Sequence, residues 1–478
     1  MKNKFFFGRK PELKELHKFL KKRTASLIVI QGRRRIGKSR LIEEFAQSFN
    51  FYSFSGLLPD KDVTDQDQRD EFARQFGEYS TAEIQSNDWS TLFFALVQQT
   101  QKGRVIILLD EISWMGSEDP TFLGKLKNAW DRHFKKNPEL ILILCGSAST
   151  WIEKNILSSS GFLGRVSYTL TLEELSLKEC NEFWVNVGAR ISAYEKFKVL
   201  SVTGGVPRYL EEMHPDRPAE ENIRELCFKK GALLVHEFER IFSDLFSRRS
   251  EQYKNIVQCL EDGPLEYSEI CDKLKVGKSG LISEYLKDLM LSGFISRDFS
   301  WHLRSGMHSA ISVYRLRDNY LRFYLKYIEK HLPEIEKKSY HIKSLSSLPG
   351  FATIMGLQFE NLVLHNRSFI HESLNIRTED IVTDNPYFQR KTARRQGCQL
   401  DYLIQTRFNM LFACEIKFSR HPIQRSVIQA MKEKLDRLAL PRGFSCCPVL
   451  IHVNGVDDSV ADSNYFTEII NFSLLLES

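Results

Sequence analysis

Residues 26–39 read Ser26-Leu-Ile-Val-Ile-Gln-Gly-Arg-Arg-Arg-Ile-Gly-Lys-Ser39, and this stretch decides the fold of the first part of the chain. Its opening, Ser26–Ile30, is apolar and β-branched, which is typical of a buried parallel strand. The next residues, Gly32 to Ser39, match the pattern GxxxxGK[ST]. Apolar residues then recur at helical spacing from Leu41 to Phe49. Strand, glycine-rich loop and helix therefore follow one another in the order that a phosphate-binding loop requires.

The loop predicts a site for ATP with magnesium. In such a loop, backbone N–H groups surround phosphate oxygens at the positive end of a helix. We expect Lys38 to neutralise the β and γ phosphates and the Ser39 hydroxyl to bind Mg²⁺. The predicted nucleotide contacts in and beside the loop are Gly32, Arg35, Gly37, Lys38, Ser39 and Arg40.

Two further apolar strands are expected to complete this site. Val105–Leu109 is followed by Asp110 and Glu111, so Asp110 is expected to orient the metal and Glu111 to polarise a water for attack on the γ-phosphate. Leu140–Cys145 ends in Gly146 and Ser147. Ser147 either contacts the γ-phosphate or the attacking water, or it caps the next helix.

Length and composition set the broader limits. A chain of 478 residues exceeds one ordinary hydrophobic core, so about two to four domains are expected. The net charge of +6 is modest for this length and does not by itself indicate nucleic-acid binding. Three basic clusters are interpreted as solvated faces: Arg33–Arg35, Arg248–Arg249, and Lys391 with Arg394 and Arg395.

The same composition bears on where the protein works. The longest apolar runs, Val105–Leu109 and Ile141–Cys145, are too short to span a bilayer. No signal-like segment follows the N-terminus, and the nine cysteines show no CxxC spacing. We therefore expect a soluble protein of the reducing cytoplasm, without a membrane partner.

Motifs along the first half of the chain recur together in one family. They are Phe7-Gly8-Arg9, the phosphate loop, Leu109-Asp110-Glu111, Cys145-Gly-Ser-Ala148, Phe162-Leu-Gly-Arg165 and Thr203-Gly-Gly-Val-Pro207. This set resembles the archaeal-type ATPases of the AAA/STAND class. The resemblance implies that Gly8 and Arg9 pack near the adenine and that Pro207 approaches the nucleotide from a helical lid. It also implies that Arg165 senses the γ-phosphate, in cis or across a subunit contact of a homo-oligomer formed through the ATPase domain; a surface cap is the alternative.

The middle of the chain predicts three short helices followed by a hairpin. Apolar stripes begin at Tyr253, Ile270 and Leu281, and Gly293-Phe294-Ile295 is expected to open the hairpin. This is the layout of a winged helix, which would contact DNA through Lys278, Ser279 and Lys287. Protein docking and a purely structural role remain open. The aromatic-rich segment Tyr314–Tyr324 is then expected to return the chain into a helix.

A second constellation lies near the C-terminus. Met355–Leu364 is expected to form a helix that carries Glu360, and Gln399–Ile404 and Leu411–Lys417 are expected to be two strands joined by the turn Arg407–Asn409. Period two places Glu415 and Lys417 on one face, and an antiparallel hairpin brings Asp401 beside them. Carboxylates of Glu360, Asp401 and Glu415 would form a Mg²⁺ site, with Lys417 acting on the attacking water.

That arrangement resembles the PD-(D/E)xK nuclease superfamily over residues 350–478. Whether such a site is active or an inactive fold that binds partners stays open. The sequence therefore predicts an α/β protein: a P-loop ATPase core with a parallel sheet (1–170), a helical lid (171–245), a winged helix (246–325) and a nuclease-like α/β domain (326–478). The expected function is an ATPase that couples nucleotide state to a DNA-binding or nuclease tail. A STAND-like switch that binds protein partners is the alternative.

Overall fold

A computed structural model describes residues 6–59, 62–81, 84, 87–147, 149–246, 249–393 and 396–477. Ala148 of the motif Cys145-Gly-Ser-Ala148, and Arg248, Arg394 and Arg395 of the basic clusters, lie outside these described residues. The chain divides into two compact units, which are Met1–Glu174 with Lys287–Gly293, and Leu175–Leu286 with Phe294–Ser478. The finer division into four domains stays a prediction.

The first unit contains a five-stranded parallel sheet with the strand order β2-β3-β4-β1-β5. Its strands are β1 (Ser26–Gly32), β2 (Asn50–Ser55), β3 (Val105–Asp110), β4 (Leu140–Ser147) and β5 (Val166–Leu172). The helices of this part are α1 (Lys10–Phe19), α2 (Lys38–Ala46), α3 (Asp65–Gly77), α4 (Trp89–Gln99), α5 (Ile112–Met115), α6 (Phe122–Arg132) and α7 (Thr150–Ile152).

Both faces of this sheet are covered by apolar side chains. Every residue of β1 is buried, because the strand lies in the interior of the sheet between β4 and β5. Alternate residues point to opposite faces, so Leu27 and Val29 join one hydrophobic cluster while Ile28 and Ile30 join the other. The prediction of a buried parallel strand before the phosphate loop is confirmed.

The following part of the chain is helical and then forms a small antiparallel sheet. The helices are α8 (Leu177–Val185), α9 (Ala193–Thr203), α10 (Pro207–Leu210), α11 (Ala219–Cys227), α12 (Glu237–Phe246), α13 (Ser250–Cys259), α14 (Tyr267–Leu274) and α15 (Gly280–Leu291). Strands β6 (Leu265–Glu266), β7 (Ile295–Trp301) and β8 (His308–Leu316) pair in the order β6-β8-β7. Three helices and a hairpin thus follow in the predicted order, while the winged-helix interpretation stays a prediction.

One boundary in this region is wrong in the sequence analysis. Tyr314 and Leu316, expected at the start of a helix, belong to β8, where buried and half-buried residues alternate as on a strand. The helix α16 (Asn319–Phe323) begins only after Asp318, whose side chain accepts a hydrogen bond from the Leu321 N–H. This N-cap fixes the start of the helix, and aromatic spacing alone does not reveal it.

The C-terminal part of the second unit contains a mixed five-stranded sheet with the order β13-β12-β11-β10-β9. Strands β9 (Ile381–Gln389), β10 (Cys398–Thr406) and β11 (Met410–Ile416) pair antiparallel, whereas β11, β12 (Ser445–His452) and β13 (Glu468–Asn471) pair parallel. The helices are α17 (Leu332–Glu336), α18 (Phe351–His365), α19 (Arg367–Ser373), α20 (Ser426–Arg437) and α21 (Asp458–Ala461). The predicted β10–β11 hairpin is confirmed, with Tyr402 opposite Cys414.

All nine cysteines are free thiols. Among the helices that the structure describes, none combines the length and apolar character needed to cross a bilayer.

Candidate functional site

The side chain of Lys38 contacts the backbone of the phosphate loop. Lys38 begins α2, and its Nζ donates to the carbonyl oxygens of Gly32 and Arg33, both at 3.2 Å. Gly37, at φ 87, adopts the left-handed conformation that glycine tolerates without strain. The loop therefore surrounds the ammonium of Lys38 with its backbone, and α2 directs its N-terminus towards the same place.

Ser39 and Asp110 lie in contact across the sheet edge. The Ser39 hydroxyl donates to Asp110 Oδ2 at 2.5 Å, and the other carboxylate oxygen, Oδ1, accepts the Glu111 N–H at 2.9 Å. Parallel strands end at the same edge of a sheet, which is why the loop after β1 and the end of β3 meet. A hydroxyl and a carboxylate at this position form the oxygen pair that Mg²⁺ prefers.

Glu111 is the most perturbed carboxyl group of this site. It adopts a left-handed conformation with φ 48, and its Oε2 is buried without a hydrogen-bond donor in the part of the chain that the structure describes. Burial raises the pKa of Glu111, and Asp110 adds to this rise, whereas Lys38, Arg34 and the Ser147 N–H oppose it. A buried, unsatisfied carboxylate oxygen is suited to hold and deprotonate a water molecule.

Ser147 occupies the end of β4 and is buried. The helix that follows it is capped by another residue, Ser149, whose hydroxyl accepts the Ile152 N–H. Of the two alternatives for Ser147, helix capping is therefore not observed, and its backbone contact with Glu111 favours a place beside the nucleotide site.

These residues fit a magnesium–nucleotide complex. Lys38 offers positive charge, Ser39 and Asp110 offer hard oxygen ligands, and the loop offers N–H groups at a helix N-terminus. When bound, Mg²⁺ would neutralise the charge that develops on the phosphate oxygens.

Arginines tie the loop to its surroundings. Arg9 is buried, and its guanidinium donates to the carbonyl oxygens of Ile36 at 3.0 Å and Glu173 at 2.7 Å. Arg33 forms a salt bridge of 2.9 Å with Glu174. The Arg34 guanidinium lies over the Trp114 ring, 5.8 Å from its centroid. Arg9 therefore holds the N-terminal segment and the phosphate loop together, and its own contacts are with protein atoms.

Five further residues are predicted to contact the nucleotide, and their positions in the structure differ. Gly8 and Arg35 have positive φ angles of 70 and 68. Arg40 is exposed and pairs with Glu43. Arg165 forms a bidentate salt bridge with Asp131, in which the guanidinium lowers the pKa of Asp131 to about 2. Pro207 is the first residue of α10 in the second unit.

The C-terminal cluster brings Asp401, Glu415 and Lys417 together. Lys417 Nζ lies 2.7 Å from Glu415 Oε1. Asp401 Oδ2 accepts the Ile416 N–H at 2.9 Å, which fixes its carboxylate beside β11. Asp401 and Glu415 thus point to the same side of the hairpin, as the sequence predicted.

A second lysine, which sequence analysis missed, joins the two acids. Lys434 Nζ lies 2.6 Å from Glu415 Oε2 and 3.3 Å from Asp401 Oδ1. Lys434 follows Val427 and Met431 on the buried face of α20, since residues three, four and seven apart share a helix face. In the sequence, the feature that could have indicated Lys434 is its position on the apolar stripe of α20.

Charge and burial set the ionisation of this cluster. Burial and then the Asp401 carboxylate raise the pKa of Glu360 to about 7, against the effect of Arg315, Arg322 and Lys417. Burial and then Glu415 raise the pKa of Asp401. Burial would raise the pKa of Glu415 too, but Lys417 and Lys434 outweigh it and lower this pKa. Glu415 is therefore the carboxylate that stays ionised most readily.

The predicted three-carboxylate metal set is not assembled as such. Within the described residues, no three or more histidine, cysteine, aspartate or glutamate side chains are grouped so that they could hold a metal ion. Asp401 and Glu415 nevertheless converge on one cation, the ammonium of Lys434. The donor set fits a cation between these two acids, and the involvement of Glu360 stays a prediction.

The chain is similar to known proteins over much of its length. An uncharacterized protein of Methanocaldococcus jannaschii is 26% identical over 368 residues, which cover 75% of this chain and 76% of that protein. A Walker-type ATPase of Pyrococcus abyssi has a TM-score of 0.49 and 17% identity, covering 67% of this chain and 96% of the other. A STAND protein with a tetratricopeptide repeat sensor from Pyrococcus horikoshii has a TM-score of 0.30 and 16% identity, covering 78% and 51%.

The family comparison agrees with the geometry of the loop. Residues 6–213 match the family described as an ATPase domain predominantly from Archaea. This match includes Lys38, Ser39, Asp110 and Glu111, which the structure brings to one edge of the parallel sheet. Over residues 6–213, the chain is thus similar to ATPase domains of the archaeal type.

Proposed function

We propose that this protein is a magnesium-dependent ATPase whose nucleotide state controls a divalent-metal-dependent DNA nuclease in its C-terminal part. The observation that carries the nuclease half is the convergence of Asp401 and Glu415 on a single cation position, with Lys417 in contact with Glu415. Two carboxylates and a lysine are the groups that metal-assisted phosphodiester hydrolysis uses.

In the ATPase half, each residue has a distinct role. Lys38 binds the β and γ phosphates, and Ser39 and Asp110 hold the metal. Glu111 orients the attacking water and takes its proton, because its Oε2 is buried and unsatisfied among the described residues. Ser147 lies beside Glu111 and contacts the γ-phosphate or this water. Arg165 senses the γ-phosphate, which requires that it leaves Asp131.

In the nuclease half, the acids bind the metal and the lysine acts on the attacking water. Asp401 and Glu415 hold the cation, and Glu360 supplies a further carboxylate when it is ionised. Lys417 orients the attacking water and stabilises charge on the phosphate. DNA is also held by the winged helix, where Lys278, Ser279 and Lys287 are exposed.

A second candidate function is an ATP-dependent switch that binds protein partners, with an inactive tail. Lys434 favours it, because its ammonium already compensates both carboxylates and completes an ion-pair network without a metal. The two functions differ in one property, which is whether a divalent cation displaces the ammonium of Lys434 from Asp401 and Glu415.

The test uses the intact chain, plasmid DNA, Mg²⁺ or Mn²⁺, and ATP, with DNA cleavage and ATP turnover measured in the same samples. We expect Asp401→Asn to abolish cleavage and keep ATP turnover, and Lys38→Ala to abolish ATP binding and turnover. Asp462→Asn is the matched control, because Asp462 is an exposed acid of the same unit. It should retain both activities.

Other outcomes separate the two functions. In Lys434→Gln, a divalent cation that takes the place of the ammonium should raise the melting temperature more than in the unsubstituted protein. Absence of cleavage with either metal, together with a melting temperature of Lys434→Gln that Mg²⁺ leaves unchanged, would refute the nuclease and leave the partner-binding switch.

A further inference from the structure

A cleft in the second unit has a volume of about 760 Å³. It is formed by the end of the β7–β8 hairpin, the end of β9 and the segment 439–442 after α20. Trp301 and Tyr387 contribute buried aromatic rings to its wall, and Phe388 a half-buried one. The cleft therefore has an apolar floor, like many ligand sites.

This floor is held by hydrogen bonds between the hairpin and the large sheet. Trp301 Nε1 donates to Gln405 Oε1 at 2.7 Å, and Gln405 Nε2 donates to the Leu303 carbonyl oxygen at 2.8 Å. The Ser300 hydroxyl donates to the Phe388 carbonyl oxygen at 2.6 Å. The floor of the cleft is therefore fixed by these contacts.

The rim of the cleft is strongly basic. Three arginines, Arg304, Arg390 and Arg442, and one histidine line it, and no aspartate or glutamate does so among the residues that form it. Arg304 and Arg442 are exposed, and within the described ranges neither side chain makes a salt bridge or a hydrogen bond. Arg390 differs, because it pairs with Glu266. Two uncompensated guanidinium groups thus face one fixed cleft.

We propose that this cleft binds the phosphodiester backbone of a nucleic-acid strand. Guanidinium groups pair bidentately with phosphate oxygens, and aromatic surfaces beside basic side chains accept unstacked bases. Of the three aromatic rings, only the half-buried Phe388 is open to such a base, because Trp301 and Tyr387 are buried. The two arginines without a salt bridge, together with Phe388, therefore favour nucleic acid over an acidic protein segment.

The cleft adjoins the elements that carry the acidic cluster. Gln389 of β9 donates from Nε2 to the Arg437 carbonyl oxygen at 2.9 Å and accepts the Ala439 N–H at 3.0 Å. β9 pairs with β10, which holds Asp401, and α20 holds Lys434. The proposal adds to the nuclease function the place where the substrate strand is bound. It rests on the proposed nuclease function only for the cleavage of that strand.

Binding is tested on the full chain in EDTA without ATP, so that cleavage cannot interfere. Fluorescence anisotropy is measured with short fluorescein-labelled single-stranded DNA, duplex DNA and RNA, over a range of salt concentrations. We expect Arg304→Glu and Arg442→Glu each to weaken binding by roughly tenfold, and each to reduce the slope of log affinity against log salt by about 0.7 to 0.9. The probe with the tightest binding identifies the kind of strand.

Arg190→Glu is the matched control, because Arg190 is an exposed arginine of the same unit outside the cleft. It should bind as the unsubstituted protein does. Arg304→Gln and Arg442→Gln, with melting temperatures recorded, cover the event that a glutamate disturbs folding, and they should weaken binding less than the glutamate variants.

Three results would overturn the proposal: no salt-dependent binding of any probe, unchanged affinity and slope in the cleft variants, or displacement of the oligonucleotide by poly-glutamate at equal charge concentration. The last would indicate an acidic protein partner. If the protein binds the strand through the cleft but never cleaves it, the nuclease proposal is refuted and the cleft proposal stands. If the cleft variants cleave DNA as the unsubstituted protein does, the cleft proposal is refuted and the nuclease proposal stands.

Discussion

Two features of Glu111 are energetically unfavourable, and a residue with a purely structural role would avoid them. Its backbone is left-handed, with φ 48, which a side chain other than glycine adopts at a cost of about 1 kcal/mol. Its Oε2 is buried without a donor in the described part of the chain. Residues held in such conformations cluster at functional sites. The geometry at the end of β3 therefore agrees with the role proposed for Glu111 in activating water.

The first prediction concerns Glu111 and pH. The Glu111→Gln variant should keep ATP affinity and lose turnover by about a hundredfold or more, because the amide retains shape but not basicity. In the unsubstituted protein, the base is the carboxylate, and its pKa is raised above the ordinary 4.5. Turnover should therefore fall, as the pH is lowered, at a higher pH than for an ordinary glutamate. Steady-state turnover against pH measures this.

Glu118→Gln is the control for this series, because Glu118 is an exposed acid shortly after the same strand. It should keep both turnover and the pH profile. Normal turnover in Glu111→Gln would show that another group positions the water.

At the scale of elements, the phosphate loop depends on a close approach between two strands. A Cβ atom on Gly32 would lie 2.5 Å from the Leu172 carbonyl oxygen, and β1 and β5 pair there with Gly32 opposite Leu172. The glycine is thus required by the neighbouring backbone, in addition to its predicted contact with phosphate. Its role in strand packing was not visible in the sequence motif, which indicates only the nucleotide.

The second prediction compares two glycines. Gly32→Ala should destabilise the protein by about 1–3 kcal/mol, because backbone atoms cannot yield as a flexible side chain does. Gly124→Ala should stabilise it by about 0.5–1 kcal/mol, since Gly124 lies in α6 with nothing within 4 Å of an added Cβ. Urea unfolding followed by circular dichroism measures both. Equal effects of the two changes would mean that the strand approach is not a constraint.

Local patterns explain why some elements could be predicted and others could not. The β1 strand, the phosphate loop and the β10–β11 hairpin are specified by neighbouring residues, and each was found. The end of β8 was missed because its aromatic residues also fit helical spacing, and the Asp318 N-cap decided the boundary. Lys434 was missed because it lies 19 residues from Glu415, and only the packing of α20 brings the two together.

At the scale of the whole molecule, the chain forms two compact units. The nucleotide site, from Lys38 to Glu111, belongs entirely to the first, and Asp401, Glu415 and Lys434 belong entirely to the second. A chain with more than one compact unit need not unfold in a single two-state step. The two proposed chemistries can therefore be tested separately in one protein.

The third prediction follows from this division. Scanning calorimetry should show two transitions, and ATP with Mg²⁺ should shift only one of them upward, because a ligand stabilises the unit that binds it. At a ligand concentration about one hundred times the dissociation constant, the gain should be about 2.7 kcal/mol. The Lys38→Ala variant serves as the control and should show no shift. One transition that moves as a whole would show that the units unfold together.

The contact between Arg34 and Trp114 bears on the fluorescence of the protein. Arg34 belongs to the phosphate loop, and its guanidinium lies over an indole ring just beyond Glu111. Indole emission responds to the charge and polarity next to the ring, so a triphosphate that draws Arg34 towards itself should change the emission of Trp114. We therefore expect the emission of Trp114, one of six tryptophans in the chain, to report occupancy of the nucleotide site without a label.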